Sequence, residues 1–303
     1  DFEDCYNYSN IMPQKTEAIC NYITACVNNS KIFSEVLDYF ENAKKLFEEH
    51  ENKIGYNEKL YMQGVDVYKQ LLDHDNVDKL LNKLIENNTN SKIIACSYSF
   101  MKNYNYDWKQ NDYFEYSKKF VKYFPTPKSK NLQDVEFKKN KKIKVGFIAK
   151  DFAGNHSITY FLKDTLKYFD KDIFELYAFS LSSDNFLKGS SLELKNSFDE
   201  WFDLSSSDNQ EIVNKVQDER IEILIDIMGL THADRIEIFK SRCSPVQISW
   251  VAFMNTVGFS NLDYIIADKY LVTNEEEKLY SEKILKLPNI WNCHSGFKFK
   301  REL

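Results

Sequence analysis

The sequence predicts an α-helical region followed by a lobe of the α/β class, built on a parallel sheet with helices on both faces. Glycine is distributed unevenly: Gly55 and Gly64 are the two in the first 140 residues, and the other six of the eight follow from Gly146 onward. Apolar residues recur at helical spacing as far as residue 124, whereas short apolar runs alternate with helical patterns after residue 139. We therefore assign residues 1–124 to the helical region, 125–139 to a linker and 140–303 to the α/β lobe.

The helical region shows apolar stripes at the spacing of one helix face. Tyr61, Val65, Tyr68 and Leu72 recur at i, i+4, i+7 and i+11, and a second stripe runs through residues 77–85. Short polar segments separate the stripes, so we expect stacked antiparallel helices in the manner of a superhelical repeat, although no 34-residue self-similarity stands out. Two interpretations of the aromatic stripes stay open: packing in a core, which this spacing favours, and the lining of a groove for a peptide.

The linker begins at Pro125-Thr126-Pro127, where the pattern becomes polar and irregular. Beyond it, apolar runs predict strands at residues 143–149, 174–179, 221–227, 246–252 and 262–267. Predicted helices lie between them at about 157–168, 208–218 and 234–240, and Ser207 with Gln210 predicts a capping box for the middle helix. Because strands that alternate with helices form parallel sheets, a ligand is expected at the carboxyl ends of the strands.

Composition and charge exclude several classes of protein. The 303-residue chain is 43% hydrophobic and 28% charged, which is typical of a globular protein and not of a disordered or fibrous one. With 40 basic and 46 acidic residues the net charge is −6, which argues against a nucleic-acid partner. No run of 18 apolar residues predicts a membrane helix, and six cysteines without a CxxC pair indicate buried thiols in a reducing compartment, the cytoplasm. The chain begins without an initiator Met or an apolar leader, so we expect it to start inside a longer protein.

Polar side chains follow three of the predicted strands and mark one rim of the predicted sheet. They are Asp151, Asn155 and His156 after the first strand, Asp226, Gly229, Thr231 and His232 after the strand at 221–227, and Asn255 and Thr256 after the strand at 246–252. A GxGxxG dinucleotide fingerprint and a P-loop are both absent from the sequence. The pattern therefore predicts a ligand at this rim without identifying it.

Several segments resemble those of one known family, the O-GlcNAc transferases together with SPINDLY and their bacterial relatives. The segments stand in the family's order between about residues 90 and 294: Val145–Ile148 with Asp151-Phe152, His156–Leu162, Asp226–Thr231, Pro245–Trp250 with Asn255–Gly258, and Leu262–Asp268 with Tyr280–Lys283. Asp226–Thr231 is similar to a D-x-x-G-H-T segment, and Pro245–Trp250 is similar to P-x-Q-x-x-W. One such motif would be weak, whereas the ordered set is specific.

The resemblance implies an inverting protein O-glycosyltransferase, which transfers a sugar from a nucleotide diphosphate sugar such as UDP-GlcNAc to Ser or Thr of acceptor proteins. Such enzymes place the site between the two Rossmann-like lobes of the GT-B architecture, with tetratricopeptide (TPR) helices in front that hold the acceptor. This chain would supply the helices and the first lobe. The family is metal-independent, so no cofactor is implied. The implied partners are acceptor proteins and the nucleotide sugar, without nucleic acid or membrane, in the cytoplasm and, in a eukaryote, also in the nucleus.

The resemblance also implies roles for individual residues, and each role has a structural alternative. His156 matches the histidine proposed as the base, and the alternative is a histidine that caps the following helix. Asp226 either hydrogen-bonds the sugar or a neighbouring loop, or it caps the turn after its strand. Thr231, Asn255 and Thr256 match positions near the donor sugar or the acceptor, and a structural role is open for each of them.

Other positions depart from the family pattern or limit it. Asp151 is expected to form a turn, and one extra residue separates it from His156 in comparison with many bacterial relatives. Leu230 replaces the histidine of the D-x-x-G-H-T segment, and Met254 stands where a proline is common. His232 has no partner at the spacing of a metal ligand set, so no metal site is expected.

The family continues beyond the point at which this chain ends, into a second lobe that holds most of the nucleotide contacts. We therefore expect an incomplete catalytic region that, by itself, binds nucleotide sugar poorly and turns over little. The alternative is a non-catalytic protein-interaction module with a degenerate glycosyltransferase lobe. Leu230 and the absent second lobe favour this alternative, whereas the retained His156, Asp226, Asn255 and Thr256 disfavour it.

Overall fold

The computed structural model of the protein describes residues 20–21, 33–87, 91–105, 107–132, 142–153 and 156–295, with side chains except at 33–37 and 39. The chain forms two compact units, Asp1–Trp108 and Lys109–Leu303. Within the described ranges, no helix is both long enough and apolar enough to cross a lipid bilayer. The predicted fold class, helices followed by a parallel-sheet lobe, is confirmed.

Four helices make up the described part of the first unit: α1 (Phe33–Ile54), α2 (Glu58–Gln70), α3 (His74–Asn87) and α4 (Lys92–Lys102). Polar caps set where two of them begin. The Asn57 side chain accepts the Leu60 N–H at 3.0 Å at the start of α2, and the Ser91 hydroxyl accepts the Ile94 N–H at 3.3 Å at the start of α4. Each helix packs against the next one along the chain.

The aromatic stripe of α2 lies in the core of the first unit. Tyr61 and Tyr68 are 2% and 4% exposed, and both meet the Phe47 ring edge-on with centroids 6.1 Å and 5.9 Å away. A Cβ added to Gly64 would lie 2.6 Å from the Phe47 ring, so only glycine permits this approach. Core packing is thus the role that the structure gives these aromatics. Leu72 is 75% exposed because α2 ends before it, so its predicted place in the buried stripe is wrong.

The second unit is built on seven parallel strands in the order β3-β2-β1-β4-β5-β6-β7. Their bounds are Ile143–Ala149 (β1), Phe174–Ser180 (β2), Glu200–Asp203 (β3), Ile223–Asp226 (β4), Val246–Ser249 (β5), Tyr264–Ala267 (β6) and Lys283–Lys286 (β7). The α-helices are Gln110–Phe120 (α5), Ser157–Leu162 (α6), Ser190–Lys195 (α7) and Asn209–Asp218 (α8). Strand β1 pairs with β2 on one side and β4 on the other, so the strand order reverses between β1 and β4. In open α/β sheets a crevice opens at this switch point.

The five predicted strands are present, and two further strands were not predicted. These are β3 and β7, the two edges of the sheet, each of four residues with a charged residue at both ends. The predicted helix at 234–240 is a 3₁₀ helix, Ile236–Lys240. The capping box of α8 lies one residue later than predicted, at Asp208 and Glu211, whose carboxylates accept each other's backbone N–H at 2.8 Å and 3.0 Å.

The described part of the predicted linker, residues 125–132, lies along α8. The Gln210 amide accepts the Lys128 N–H and donates to the Lys128 carbonyl, both at 2.7 Å. The Gln217 amide accepts the Lys130 N–H at 2.9 Å and donates to the Lys130 carbonyl at 3.1 Å. Gln210 and Gln217, two turns apart on α8, therefore hold this segment through its backbone. Because its amide is used in this way, Gln210 is not available to cap α8. The remainder of the predicted linker lies outside the described residues.

Candidate active site

Two histidines and one carboxylate meet at the switch point of the sheet. Asp151 follows β1, and His232 follows β4 and the 3₁₀ turn Gly229–Thr231. The Nε2 atom of His232 lies 2.9 Å from Asp151 Oδ2, and the Nε2 atom of His156 lies 3.9 Å from Asp151 Oδ1. Asp151 and His232 are 81 positions apart in the sequence and meet because β1 and β4 are neighbouring strands.

His156 is the N-cap of helix α6. Its Nδ1 atom accepts the Ile158 N–H at 3.4 Å, and its backbone is extended, as an N-cap requires. The side chain is 46% exposed, so it lies at the surface of the lobe and can meet a ligand there. The helix-capping alternative for His156 is therefore present in the structure, and the ring also lies beside Asp151. Asn155, the residue before it, lies outside the described residues.

The Asp151 carboxylate is held in its ionised form by its neighbours. Burial acts to raise its pKa, but the hydrogen bond from His232 and the charges of His232, His156 and Lys150 outweigh burial and lower it. A carboxylate that stays ionised accepts hydrogen bonds and does not donate them. Asp151 therefore orients the imidazole that bonds to it, which is more than the turn-forming role expected from the sequence.

Asp226 closes the turn after β4 and has no exposed surface. Its carboxylate accepts the N–H of Met228 at 2.9 Å and the N–H of Gly229 at 3.0 Å and 3.1 Å. Burial raises its pKa to about 6, against the opposing effect of these bonds and of the Ser249 hydroxyl. Gly229 has a φ of +54°, and a Cβ there would lie 2.1 Å from Phe253 Cβ. Asp226 and Gly229 together therefore fix the turn that precedes His232.

The other predicted binding residues have mainly internal partners. The Thr231 side chain is exposed, and its hydroxyl donates to the Met228 carbonyl at 2.6 Å. Thr256 is 2% exposed, and its Oγ1 accepts the Ser281 N–H at 3.1 Å. Asn255 is 6% exposed. None of the three is among the described residues that line the crevice beside Asp151 and His232.

That crevice is a cleft of about 590 Å³ at the carboxyl ends of β1, β2 and β4, and it will be called the switch-point cleft. Its described lining residues are Lys150, Asp151, Ala153, Ser182, Asn185, Phe186, Leu187, Lys188 and His232. Phe186 is 66% exposed, and Lys150 pairs with Asp234 at 3.2 Å. The cleft thus combines an acid–base pair, two ammonium groups, amide and hydroxyl groups and one aromatic surface.

The sequence predicts this rim but not the pair that forms there. Spacing along the sequence gives His232 no partner, because Asp151 lies 81 positions away. The signal that could have found the pair is strand order, since it places the loops after β1 and β4 side by side. Among the described residues, no group of three or more His, Cys, Asp or Glu side chains has an arrangement that could hold a metal ion.

Comparison with known proteins adds an independent observation. The model of Glycosyl transferase family 41 matches residues 121–296. Among curated proteins, the chain is 25% identical over 151 residues to the "Probable UDP-N-acetylglucosamine--peptide N-acetylglucosaminyltransferase SEC" of Arabidopsis thaliana, which is 50% of this chain and 15% of that relative. It is 28% identical over 149 residues to the "UDP-N-acetylglucosamine--peptide N-acetylglucosaminyltransferase" of Caenorhabditis elegans, which is 49% of this chain and 13% of that relative.

A solved structure has the same fold. It is the K341M mutant of the Thermobaculum terrenum O-GlcNAc transferase, with a TM-score of 0.73 and 17% sequence identity, and the likeness covers 96% of this chain and 58% of that chain. The chain therefore spans just over half of that protein and less than a fifth of the two curated relatives described above. Because the family match extends over more than half of the chain and includes every described strand of the sheet, the chain belongs to glycosyl transferase family 41.

Proposed function

We propose that the protein is an inverting, nucleotide-sugar-dependent protein O-glycosyltransferase, with UDP-GlcNAc as donor and Ser or Thr hydroxyls as acceptors. The observation that carries this proposal is the Asp151–His232 pair, with His156 beside it, at the switch point of a family 41 lobe. The names of the curated relatives, which specify UDP-N-acetylglucosamine and a peptide, support the choice of donor and acceptor.

The reaction needs a hydroxyl held in line with the anomeric carbon, an acceptor for its proton and stabilisation of the departing diphosphate. This lobe offers imidazoles for the proton, and the resemblance points first to His156. Asp226 would position the loop after β4, while Thr231, Asn255 and Thr256, which the resemblance implies lie near the donor sugar or the acceptor, would stabilise the loops from behind. The inversion and the assignment of these residues are part of the proposal.

The acceptor proteins would be the protein's partners, and the cytoplasm its place of action. Support for a reducing compartment comes from the described cysteines, which are all free thiols: Cys20, Cys96 and Cys243 are buried, whereas Cys293, which was expected to be buried as well, is exposed. Burial raises the pKa of Cys243 to about 12, so this thiol stays protonated and unreactive.

The test is transfer by the protein in its full native length. Labelled UDP-GlcNAc, GDP-fucose and UDP-glucose would be offered separately with a mixture of acceptor proteins, and modified residues would be located by mass spectrometry. Label from UDP-GlcNAc on Ser or Thr, in the anomeric configuration opposite to that of the donor, is the expected result. Transfer from another donor alone, or retention of configuration, would contradict the proposal.

One observation favours a second candidate, a protein-interaction module without activity. Leu230 is 1% exposed, so the position that carries histidine in the D-x-x-G-H-T segment is here a buried apolar side chain. A module would bind acceptor proteins and transfer no sugar from any of the three donors, so the same assay, with acceptor binding measured alongside, separates the two functions.

A further inference from the structure

We propose that His232, oriented by Asp151, accepts the proton of the acceptor hydroxyl, and that His156 acts as a helix cap beside it. This inference rests on the proposed glycosyltransferase function and identifies which imidazole of the site accepts the proton. It follows from the hydrogen-bond partners of the two rings, because a neutral imidazole has one nitrogen that donates and one that accepts.

The lone pair of His156 is already engaged. Its Nδ1 faces the N–H of Ile158, which can only donate, so Nδ1 must be the accepting nitrogen. In the neutral ring the proton is then on Nε2, the atom that lies 3.9 Å from the Asp151 carboxylate. With one nitrogen capping a helix and the other protonated, His156 has no free basic site in this arrangement.

His232 has the same tautomer, but its Nδ1 does not cap a helix. Its Nε2 lies 2.9 Å from an Asp151 oxygen, and an ionised carboxylate accepts, so Nε2 carries the proton. The lone pair is therefore on Nδ1. In the part of the chain that the structure describes, no hydrogen bond to His232 Nδ1 is found, and the ring is 22% exposed. A carboxylate that fixes one ring nitrogen and leaves the other basic is the arrangement that general-base histidines use.

The position of His232 matches this role. Both His232 and Asp151 line the switch-point cleft, whereas His156 is not among its described lining residues. The turn that presents His232 is rigid: Thr231 donates to the Met228 carbonyl, and Asp226 holds the Met228 and Gly229 N–H groups. Leu230 stands where the family motif has its histidine, and the loop carries an imidazole two positions later, at His232.

The hydroxyl oxygen forms a bond to the anomeric carbon while its proton passes to His232 Nδ1, and the bond between the anomeric carbon and the diphosphate oxygen breaks, with its electron pair leaving on the diphosphate. Asp151 stabilises the resulting imidazolium. Among the described residues, the charged and titratable groups of this region are Asp151, His156, Lys150 with its partner Asp234, Lys188 in the cleft lining, Arg235, and the buried Asp226.

Two substitutions separate a base from a structural partner. His232→Gln retains an amide N–H that can donate to Asp151 but has no basic nitrogen, whereas His232→Ala removes both. If His232 is the base, both variants lower kcat by about 10²–10⁴-fold and leave KM little changed, and His156→Asn, which keeps a capping oxygen, loses less than either. His74→Gln, in the first unit, is the matched control and keeps the wild-type rate.

A wild-type rate for His232→Gln would overturn the proposal, as would a loss in His156→Asn as large as that in His232→Gln. A second measurement does not depend on transfer. Histidine-labelled protein examined by ¹⁵N NMR at neutral pH should show His232 protonated on Nε2 and unprotonated on Nδ1, and Asp151→Asn should change this tautomer balance. An Nδ1-protonated His232 contradicts the inference even in an active enzyme. Absence of transfer in wild type would contradict the proposed function and, with it, the role of His232 as base, whereas the NMR measurement tests separately how Asp151 orients the ring.

Discussion

The buried carboxyl of Asp226 leads to a prediction about stability and pH. Its pKa is about 6 in the folded protein, compared with an ordinary value of 3.8, because burial disfavours the charged form. The folded state therefore binds this proton more tightly than the unfolded state. The stabilising contribution of Asp226 is complete below about pH 3.8 and is lost as the pH rises through about 6.

The magnitude follows from the two pKa values. Their difference corresponds to about 3 kcal/mol in the free energy of unfolding, of which roughly half falls between pH 5 and pH 7.5. Asp226→Asn does not titrate, and its carbonyl oxygen can still accept from Met228 or Gly229. The stability of wild type relative to Asp226→Asn should therefore decrease by about 1 kcal/mol over this range.

The assay is urea unfolding at pH 5 and pH 7.5, followed by tryptophan fluorescence, since three of the four tryptophans (Trp201, Trp250 and Trp291) lie in the second unit. Other acids titrate in both proteins and cancel in the difference. Asp172→Asn, at an exposed position, serves as the matched control and should show no such dependence. A difference between wild type and Asp226→Asn that stays constant from pH 5 to pH 7.5, or that changes with the opposite sign, would refute the reasoning.

Three further predictions concern the same rim. His156→Ala should lower the free energy of unfolding by about 1 kcal/mol through loss of the α6 cap, and His156→Asn should restore it; equal stability of the two variants in urea would argue against the cap. Gly229→Ala should lower the unfolding free energy by about 2–4 kcal/mol, because a Cβ at a φ of +54° meets Phe253. A melting temperature equal to that of wild type would show that the turn adapts. Asp151→Asn should reduce kcat by about 10²–10⁴-fold without a matching change in KM, since the amide no longer fixes the tautomer of His232, and unaltered kinetics would remove Asp151 from the mechanism.

The inner strands were predictable because they are apolar, and two of them are also long. Strands β1 and β2 have seven residues each and a continuous buried end, so their pattern is distinct from that of the helices. The edge strands β3 and β7 were missed because only one neighbour pairs with them, and their charged ends look like loops in the sequence. Leu72 was misplaced because the apolar period continued past the end of α2, and the structure turns the chain there with a left-handed residue.

The candidate site was predicted as a rim and not as a set of contacts. His156 and Asp226 were named from the family pattern, and each had a structural alternative that the hydrogen bonds now describe. Asn255 and Thr256 match family positions near the donor sugar or the acceptor, with a structural role left open, and the structure shows both of them buried. The Asp151–His232 pair depends on strand order, which is a property of the whole sheet and has no local signature in the sequence.

Sugar transfer is the most direct measurement of the proposed function. The protein in its full native length, incubated with labelled UDP-GlcNAc and acceptor proteins, should add one N-acetylhexosamine to Ser or Thr, and His232→Gln should abolish most of that incorporation while His74→Gln does not. Binding of acceptor proteins without any incorporation by wild type would contradict the account.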